Sequence, residues 1–293
     1  MPRRGGCGWR CEGHVMDGYD ALLAALDCPT WLRQLRQGAY LTRTFSGDAM
    51  PAVWYGCPPG LIPLTSNGSA LLYRGIWVCW FTPGHPRSYV MSDIEDACRL
   101  REIAITDAQF AAWMIIQAIV CNDDVTDEVI RFHADTRPLD LERLDEHTMA
   151  HGDGWEGLTA LPLFQSPRPN AVGTRSEATG GVLHPQHTDP ARFRDACWFE
   201  LSEEQQRVAL DHPDAAPWLR RDAPVARLFD DYLSSGRQAE AWATLNSTGW
   251  SLPDARAAAE RLAATTDLPG LALQLRAWIA FSQQTDIPER YGY

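Results

Sequence analysis

The stretch that most constrains the fold lies between residues 51 and 90 and reads PAVWYGCPPGLIPLTSNGSALLYRGIWVCWFTPGHPRSYV. It contains no acidic residue, and its only formal charges are Arg74 and Arg87. Asn67-Gly68 separates two apolar runs, and this dipeptide is a strong signal for a two-residue hairpin turn. An aromatic segment bounded by glycine and proline predicts a compact piece of sheet rather than a catalytic motif.

The predicted sheet is a small antiparallel meander of three to five strands. Apolar and β-branched runs place strands at about residues 61–64, 71–81 and 89–91. Gly75 lies inside the second run, where a glycine indicates a bulge or a close approach of another backbone. The Thr-Pro-Gly sequence at residues 82–84 predicts the turn into the third strand.

Helical periodicity dominates on both sides of this sheet. Asp17 is a suitable N-cap for a first helical segment, which Cys28-Pro29 interrupts. Thr106-Asp107 predicts the start of an apolar, buried helix over residues 108–120. Further helices are predicted at residues 123–132, 139–150, 200–211, 224–234, 236–246, 253–266 and 270–284.

These elements predict an α+β fold, in which a small antiparallel sheet flanked by helices is followed by a mainly α-helical C-terminal part. Residues 1–16 are expected to form a flexible leader, and residues 17–150 the α+β domain. Residues 151–190 are rich in glycine, proline, serine and threonine, which is typical of a linker or long loop. Residues 191–293 are predicted to form a helical domain.

Composition excludes several classes of chemistry. All 26 basic side chains are arginine, and the sequence contains no lysine. A phosphate-loop lysine, a Schiff-base lysine and a lysine general base are therefore excluded. No segment approaches the roughly 18 consecutive apolar residues of a membrane span, and the N-terminus lacks the apolar run of a secretory signal. We expect a cytoplasmic protein that needs neither a membrane nor a cofactor.

The charge of the chain is concentrated in one region. Residues 91–150 contain five arginines and fourteen acidic residues, a net charge of −9 out of −12 for the whole chain. A field of this sign repels nucleic acid and attracts a basic protein partner. Each acidic run taken alone is better explained as a solvated helix face, and it is the concentration of three such runs in sixty residues that favours a binding surface. The residues expected to contact a partner are Asp93, Glu95, Asp96, Asp123, Asp124, Asp127 and Glu128, together with the aromatic Trp77 and Trp80. For aromatic residues of this region the alternative is packing in the core, which the sequence favours for most of them.

Two histidines offer the best alternative based on metal chemistry. His147 and His151 are four residues apart, so a helix would place both on one face. The segment reads H-T-M-A-H and lacks the glutamate that metalloproteases carry after the first histidine. A metal-dependent enzyme with a dispersed site around this pair is one hypothesis. The other is a pair of exposed histidines that favour the C-terminal end of a helix dipole.

The block WYGCPPGLIPLTSNGSALLYRGIWVCWF, followed by SYV, resembles bacterial members of the SUKH superfamily, to which the Smi/Knr-type regulators of yeast also belong. The shared features are a proline-glycine lead-in, a G-L-I-P-L strand, a polar turn at residues 66–69 and an aromatic strand that contains a glycine. The resemblance covers roughly residues 17–120, whereas the C-terminal helical half lies outside it. It implies an α+β immunity protein that blocks a toxin by binding, so no catalytic residues carry over.

The sequence therefore favours a non-enzymatic binding protein, an immunity protein that neutralises a bacterial toxin through an acidic surface. The partner expected is a basic toxin domain. The two alternatives are the metal-dependent enzyme around His147 and His151, and a regulatory adaptor whose helical half binds a partner.

Overall fold

A computed structural model of the chain describes residues 16–40, 57–66, 73–93, 99–167, 217–219, 223–247 and 249–283. Within them the predicted α+β fold is confirmed: a four-stranded antiparallel sheet is flanked by helices and followed by a helical C-terminal part. None of these helices combines the length and the apolar character needed to cross a bilayer. The helices are α1 (Met16–Ala25), α2 (Thr30–Arg36), α3 (Asp107–Asn122), α4 (Asp127–Thr136), α5 (Leu141–His151), α6 (Trp155–Leu158), α7 (Val225–Ser234), α8 (Gln238–Leu245), α9 (Leu252–Thr265) and α10 (Pro269–Ser282).

The four strands follow one another in the sheet in chain order. They are β1 (Leu61–Ser66), β2 (Tyr73–Val78), β3 (Arg87–Asp93) and β4 (Arg99–Ala104). Ser66 pairs with Tyr73, so β1 and β2 form the hairpin that the sequence predicts. The Asn67-Gly68 turn itself lies outside the described residues. The sequence did not predict β4.

Gly75 has the role that its position in an aromatic strand predicts. A Cβ atom on this residue would lie 2.3 Å from the carbonyl oxygen of Ile62 on the neighbouring strand. The pairing register between β1 and β2 shifts between Pro63 and Thr65, close to this contact. Because only glycine permits this approach, Gly75 allows the irregular pairing of the hairpin.

Helices cover both faces of the sheet. Ile76 pairs with Tyr89, whose ring stacks on Phe110 of α3 at 4.3 Å between centroids. Trp77, the next residue, points to the opposite face and packs against Trp242 of α8, with centroids 6.1 Å apart. All residues of β1 and β2 are accordingly buried. The sheet is therefore the middle layer between α3 on one side and C-terminal helices on the other.

The N- and C-terminal helices also contact each other. The ring of Tyr19 in α1 packs edge-on against Phe281 of α10, with centroids 6.2 Å apart. The indole nitrogen of Trp278 donates a hydrogen bond to the carbonyl of Cys57 at 2.8 Å. The two segments predicted to be separate domains thus contribute side chains to one hydrophobic core. Whether they fold separately stays a prediction.

Part of the predicted linker belongs to the packed structure. Helix α5 extends to His151, α6 follows, and a short 3-10 turn spans Pro162–Phe164. Phe164 is fully buried. Of the two predictions for residues 151–167, a linker does not fit, because buried apolar side chains there pack against α3, whereas a long loop stays a prediction. Residues 168–190, and residues 1–15 of the predicted leader, lie outside the described part of the chain.

Candidate partner-binding surface

Four of the predicted contact residues lie together where the chain passes from α3 to α4. We call Asp123, Asp124, Asp127 and Glu128 the acidic corner. Asp123 ends α3 in the left-handed conformation, with φ of 58°. The side chain of Thr126 then caps α4, which begins at residue 127 and four residues later than the sequence predicts. The left-handed Asp123 and the Thr126 cap explain why α4 begins later than predicted, because together they separate α3 from α4 by a turn.

The acidic corner faces solvent. Asp123, Asp124 and Asp127 are exposed, and Glu128 is partly exposed. Asp127 and Glu128 are in the first turn of α4, where the helix dipole favours negative charge. Asp123 is at the C-terminal end of α3, where the dipole disfavours it. The helix dipole therefore favours Asp127 and Glu128 and disfavours Asp123, whose left-handed conformation is nevertheless one that aspartate adopts more readily than most residues.

The other three acids predicted to contact a partner are Asp93, Glu95 and Asp96. Asp93 ends β3, and the other two follow it in the sequence. Helix α3 starts beside Tyr89 and runs back along the sheet, since the guanidinium of Arg74 lies over the ring of Trp113 at 5.4 Å. Arg74 pairs with Met91, two residues before Asp93 at the end of β3. The backbone of Asp93 is thus at the sheet end toward which α3 and the acidic corner extend. Glu95 and Asp96 lie outside the described residues, as does the side chain of Asp93.

The same group of helices carries exposed apolar side chains. Val120 on α3 is 38 % exposed, Ile130 on α4 is 48 % exposed and Met149 on α5 is 76 % exposed. Over the residues that the structure describes, no other large hydrophobic side chain is as exposed as these. Single exposed apolar residues are ordinary, but these three lie on α3 and on the neighbouring acidic helices α4 and α5, so this group of helices carries both exposed apolar side chains and negative charge.

The expectation that Trp77 and Trp80 contact a partner is wrong, because both are only 4 % exposed. Trp77 lies so close to Gly60 that a Cβ atom there would be 2.1 Å from its ring. The indole nitrogen of Trp80 donates a hydrogen bond to Gln274 of α10 at 2.7 Å. The C-terminal helices of the same chain therefore occupy the site that these aromatic residues were expected to offer to another protein.

His147 and His151 are neighbours on α5, as their spacing predicts. Their ring centroids are 4.9 Å apart. His151 is exposed, whereas His147 is only 8 % exposed and its Nε2 atom is buried without a hydrogen-bond partner. Burial, and then the neighbouring His151, lowers the pKa of His147. Among the described residues no group of three histidine, cysteine, aspartate or glutamate side chains is arranged to hold a metal ion. This part of the chain thus supplies a pair of ligands and no third one.

The sequence did not reveal a polar cluster at the start of α3. The carboxylate of Asp107 accepts hydrogen bonds from Arg87, at 3.1 Å to each oxygen, and from the hydroxyl of Tyr89 at 2.5 Å. Arg87 also donates to the carbonyl of Leu26 at 2.9 Å. Burial raises the pKa of the nearby Cys28 thiol to about 11, which disfavours the nucleophilic thiolate at neutral pH. The cluster therefore fixes the start of α3 rather than presenting an activated nucleophile.

Comparisons with family models, with curated proteins and with solved structures give no match for this chain. The resemblance to the SUKH superfamily therefore stays a prediction, based on the residues of the β1–β2 region.

Proposed function

We propose that this protein is a cytoplasmic, non-enzymatic binding protein that neutralises a bacterial toxin by binding a basic surface on it. The observation that carries the proposal is the acidic corner, with exposed apolar side chains on the helices that form and flank it. The choice of a toxin as partner depends on the resemblance to immunity proteins of the SUKH superfamily.

The physical basis is electrostatic attraction followed by apolar contact. Exposed carboxylates on a region of net charge −9 accelerate encounter with a positively charged protein and resemble the phosphates that a basic nuclease cleft binds. Once the two proteins are in contact, burial of the apolar side chains of Ile130 and Val120 stabilises the complex, which electrostatic attraction alone does not do. Because salt screens exposed charges over about 8 Å at physiological ionic strength, binding should weaken as salt increases.

The test is to neutralise the acidic corner without changing the fold. Tagged full-length protein is used to isolate its partner from the source bacterium, and the partner is identified by mass spectrometry. Association is then measured for wild type and for the variant Asp123→Asn, Asp124→Asn, Asp127→Asn. Asparagine tolerates the left-handed conformation at position 123. We expect the association rate to fall by about tenfold at low salt and to lose most of its salt dependence.

A matched control carries the same charge change elsewhere. Asp231→Asn, Glu260→Gln and Asp267→Asn also remove three negative charges, from exposed positions on α7, α9 and the loop after α9. This control should associate like wild type. Equal rates for the two triple variants, or a captured partner without a basic surface, would contradict the proposal. Protection of cells that express the partner then distinguishes toxin neutralisation from simple binding.

The two alternatives have less support. The metal-dependent enzyme has the histidine pair of α5, but the described residues supply no third ligand. The regulatory adaptor needs a docking face on the C-terminal helices, and among their described residues no large hydrophobic side chain is exposed.

A further inference from the structure

We propose that His147 and His151 form a binding site for one divalent transition-metal ion of the Zn²⁺, Ni²⁺ or Cu²⁺ type at the C-terminal end of α5. The proposal goes beyond the binding function above and does not depend on it. Water, or a side chain of a bound protein, would complete the coordination of the ion.

The positions of the two rings suit a shared ion. Residues four apart on a helix lie one turn above each other, and the rings of His147 and His151 are 4.9 Å apart between centroids. Helical metal sites in proteins use this spacing. Imidazole nitrogen is a good ligand for zinc, nickel and copper, which distinguishes these ions from calcium and magnesium.

The buried nitrogen of His147 supplies the second, independent observation. Buried polar atoms nearly always have a hydrogen-bond partner, yet Nε2 of His147 has none. The side chain is more than nine-tenths buried, so solvent does not compensate freely for the missing bond. A metal ion would satisfy this nitrogen. His151 is exposed, so the second ligand of the pair is accessible from solvent.

The C-terminal end of α5 favours a cation. Both histidines lie in the second half of α5, whose C-terminal end carries partial negative charge, and Gly152 ends the helix directly after His151. Asp153 follows and is exposed, with its carboxylate accepting a hydrogen bond from Gln117 of α3 at 3.0 Å. Asp145 and Glu146 directly precede His147 and lie on other faces of the helix, whereas Arg143 is one turn before His147 on the same face. The helix end and Asp153 therefore favour a cation at this site, and Arg143 opposes it.

The test uses full-length protein without a polyhistidine tag, first treated with a chelator. Titration calorimetry with zinc chloride and with nickel chloride is performed on wild type and on His147→Gln, His151→Gln and the control His85→Asn. His85 is an exposed histidine in the turn before β3, and asparagine suits its positive φ of 46°. Each α5 substitution should lower affinity by roughly tenfold or more, the scale on which even supporting residues affect metal binding. The control should bind like wild type.

Thermal unfolding gives a second measurement, which uses the substitution at the exposed His151 and needs none at the buried His147. Because His151 is exposed, the His151→Gln variant should fold normally. An ion that binds the folded protein raises its unfolding temperature, so zinc should stabilise wild type and His85→Asn but not His151→Gln. Absence of binding by wild type would overturn the proposal. Binding of equal strength in all four proteins would also overturn it, because the ion would then be held by other residues.

Discussion

Gly60 precedes β1 at a point where two parts of the chain meet and leave no room for a side chain. A Cβ atom at this position would lie 2.1 Å from the ring of Trp77 and 2.7 Å from Oδ1 of Asn246. The same Oδ1 accepts a hydrogen bond from the Gly60 amide at 2.6 Å. We expect Gly60→Ala to reduce the free energy of unfolding by about 1–3 kcal/mol, the usual cost of overpacking a core. Urea unfolding measures this change.

Gly154 provides the matched control for this substitution. It precedes α6, and no atom lies within 4 Å of the position that its Cβ would occupy. The change Gly154→Ala should therefore alter stability by no more than about 0.5 kcal/mol. Equal effects of the two substitutions would show that the contact of Gly60 with Trp77 is not as tight as described.

At this scale the sequence indicates glycines that act locally but not those that act at a distance. Gly75 is recognisable because a glycine within an aromatic strand usually marks a bulge or a close backbone approach. The requirement for glycine at position 60 is not recognisable from the sequence, because Asn246, which contacts Gly60, lies 186 residues later in the chain. The same limit accounts for the error at Trp77 and Trp80, whose burial depends on helices that the sequence assigned to another domain.

The buried side chain of Gln109 connects helix α3 by hydrogen bonds to the residues just before it and to the segment after α6. Gln109 accepts hydrogen bonds from the amides of Ile105 and Thr106 at 2.8 and 3.3 Å. Its Nε2 atom donates to the carbonyls of Leu163 and Pro167 at 2.8 and 2.7 Å. This residue therefore closes the N-terminal cap of α3 and anchors the segment after α6.

Replacing Gln109 with methionine would remove these bonds and retain most of the side-chain volume. We expect a loss of about 2–4 kcal/mol in unfolding free energy, because each buried polar group left unpaired costs about 1–3 kcal/mol. Limited proteolysis should also become faster within residues 159–167. Gln117→Met on the same helix is the control, since its partner Asp153 is exposed to solvent. The role assigned to Gln109 would be wrong if the control variant were destabilised as much as Gln109→Met.

The sequence predicts individual elements better than their boundaries. The N-terminus of α3 was predicted from Thr106-Asp107 and carries a capping box with Gln109. The start of α4 was misplaced, because a run of acids does not reveal which residue adopts the left-handed conformation. Strand β4 was missed because its sequence, RLREIA, is half charged, as edge strands often are.

For the whole molecule, the layered core predicts that the N-terminal part does not fold alone. A fragment of residues 1–167 would expose the sheet face that contains Trp77, together with the partners of Trp278 and Gln274. We expect this fragment to lack a cooperative urea transition, and addition of residues 191–293 as a second chain to restore it. Circular dichroism follows both steps. A cooperative transition for the isolated fragment would instead support the two domains predicted from the sequence.

The overall class was predictable, whereas the three-layer arrangement was not. The turn signals and the helical periodicity are local and indicate an α+β fold. A sheet buried on both faces lacks the alternation of polar and apolar residues that would show which side contacts a helix. The acidic helices could be found from charge alone, because exposed residues need no long-range partner.

The contact between Gly60 and Asn246 also has a consequence for synthesis. At about 5–20 residues per second, a ribosome needs roughly 10 to 40 s to add the 186 residues that separate them. During this interval the nascent sheet presents uncovered tryptophans to solvent, and such surfaces aggregate or recruit chaperones. Soluble yield in a recombinant host should therefore depend strongly on growth temperature and on chaperone supply.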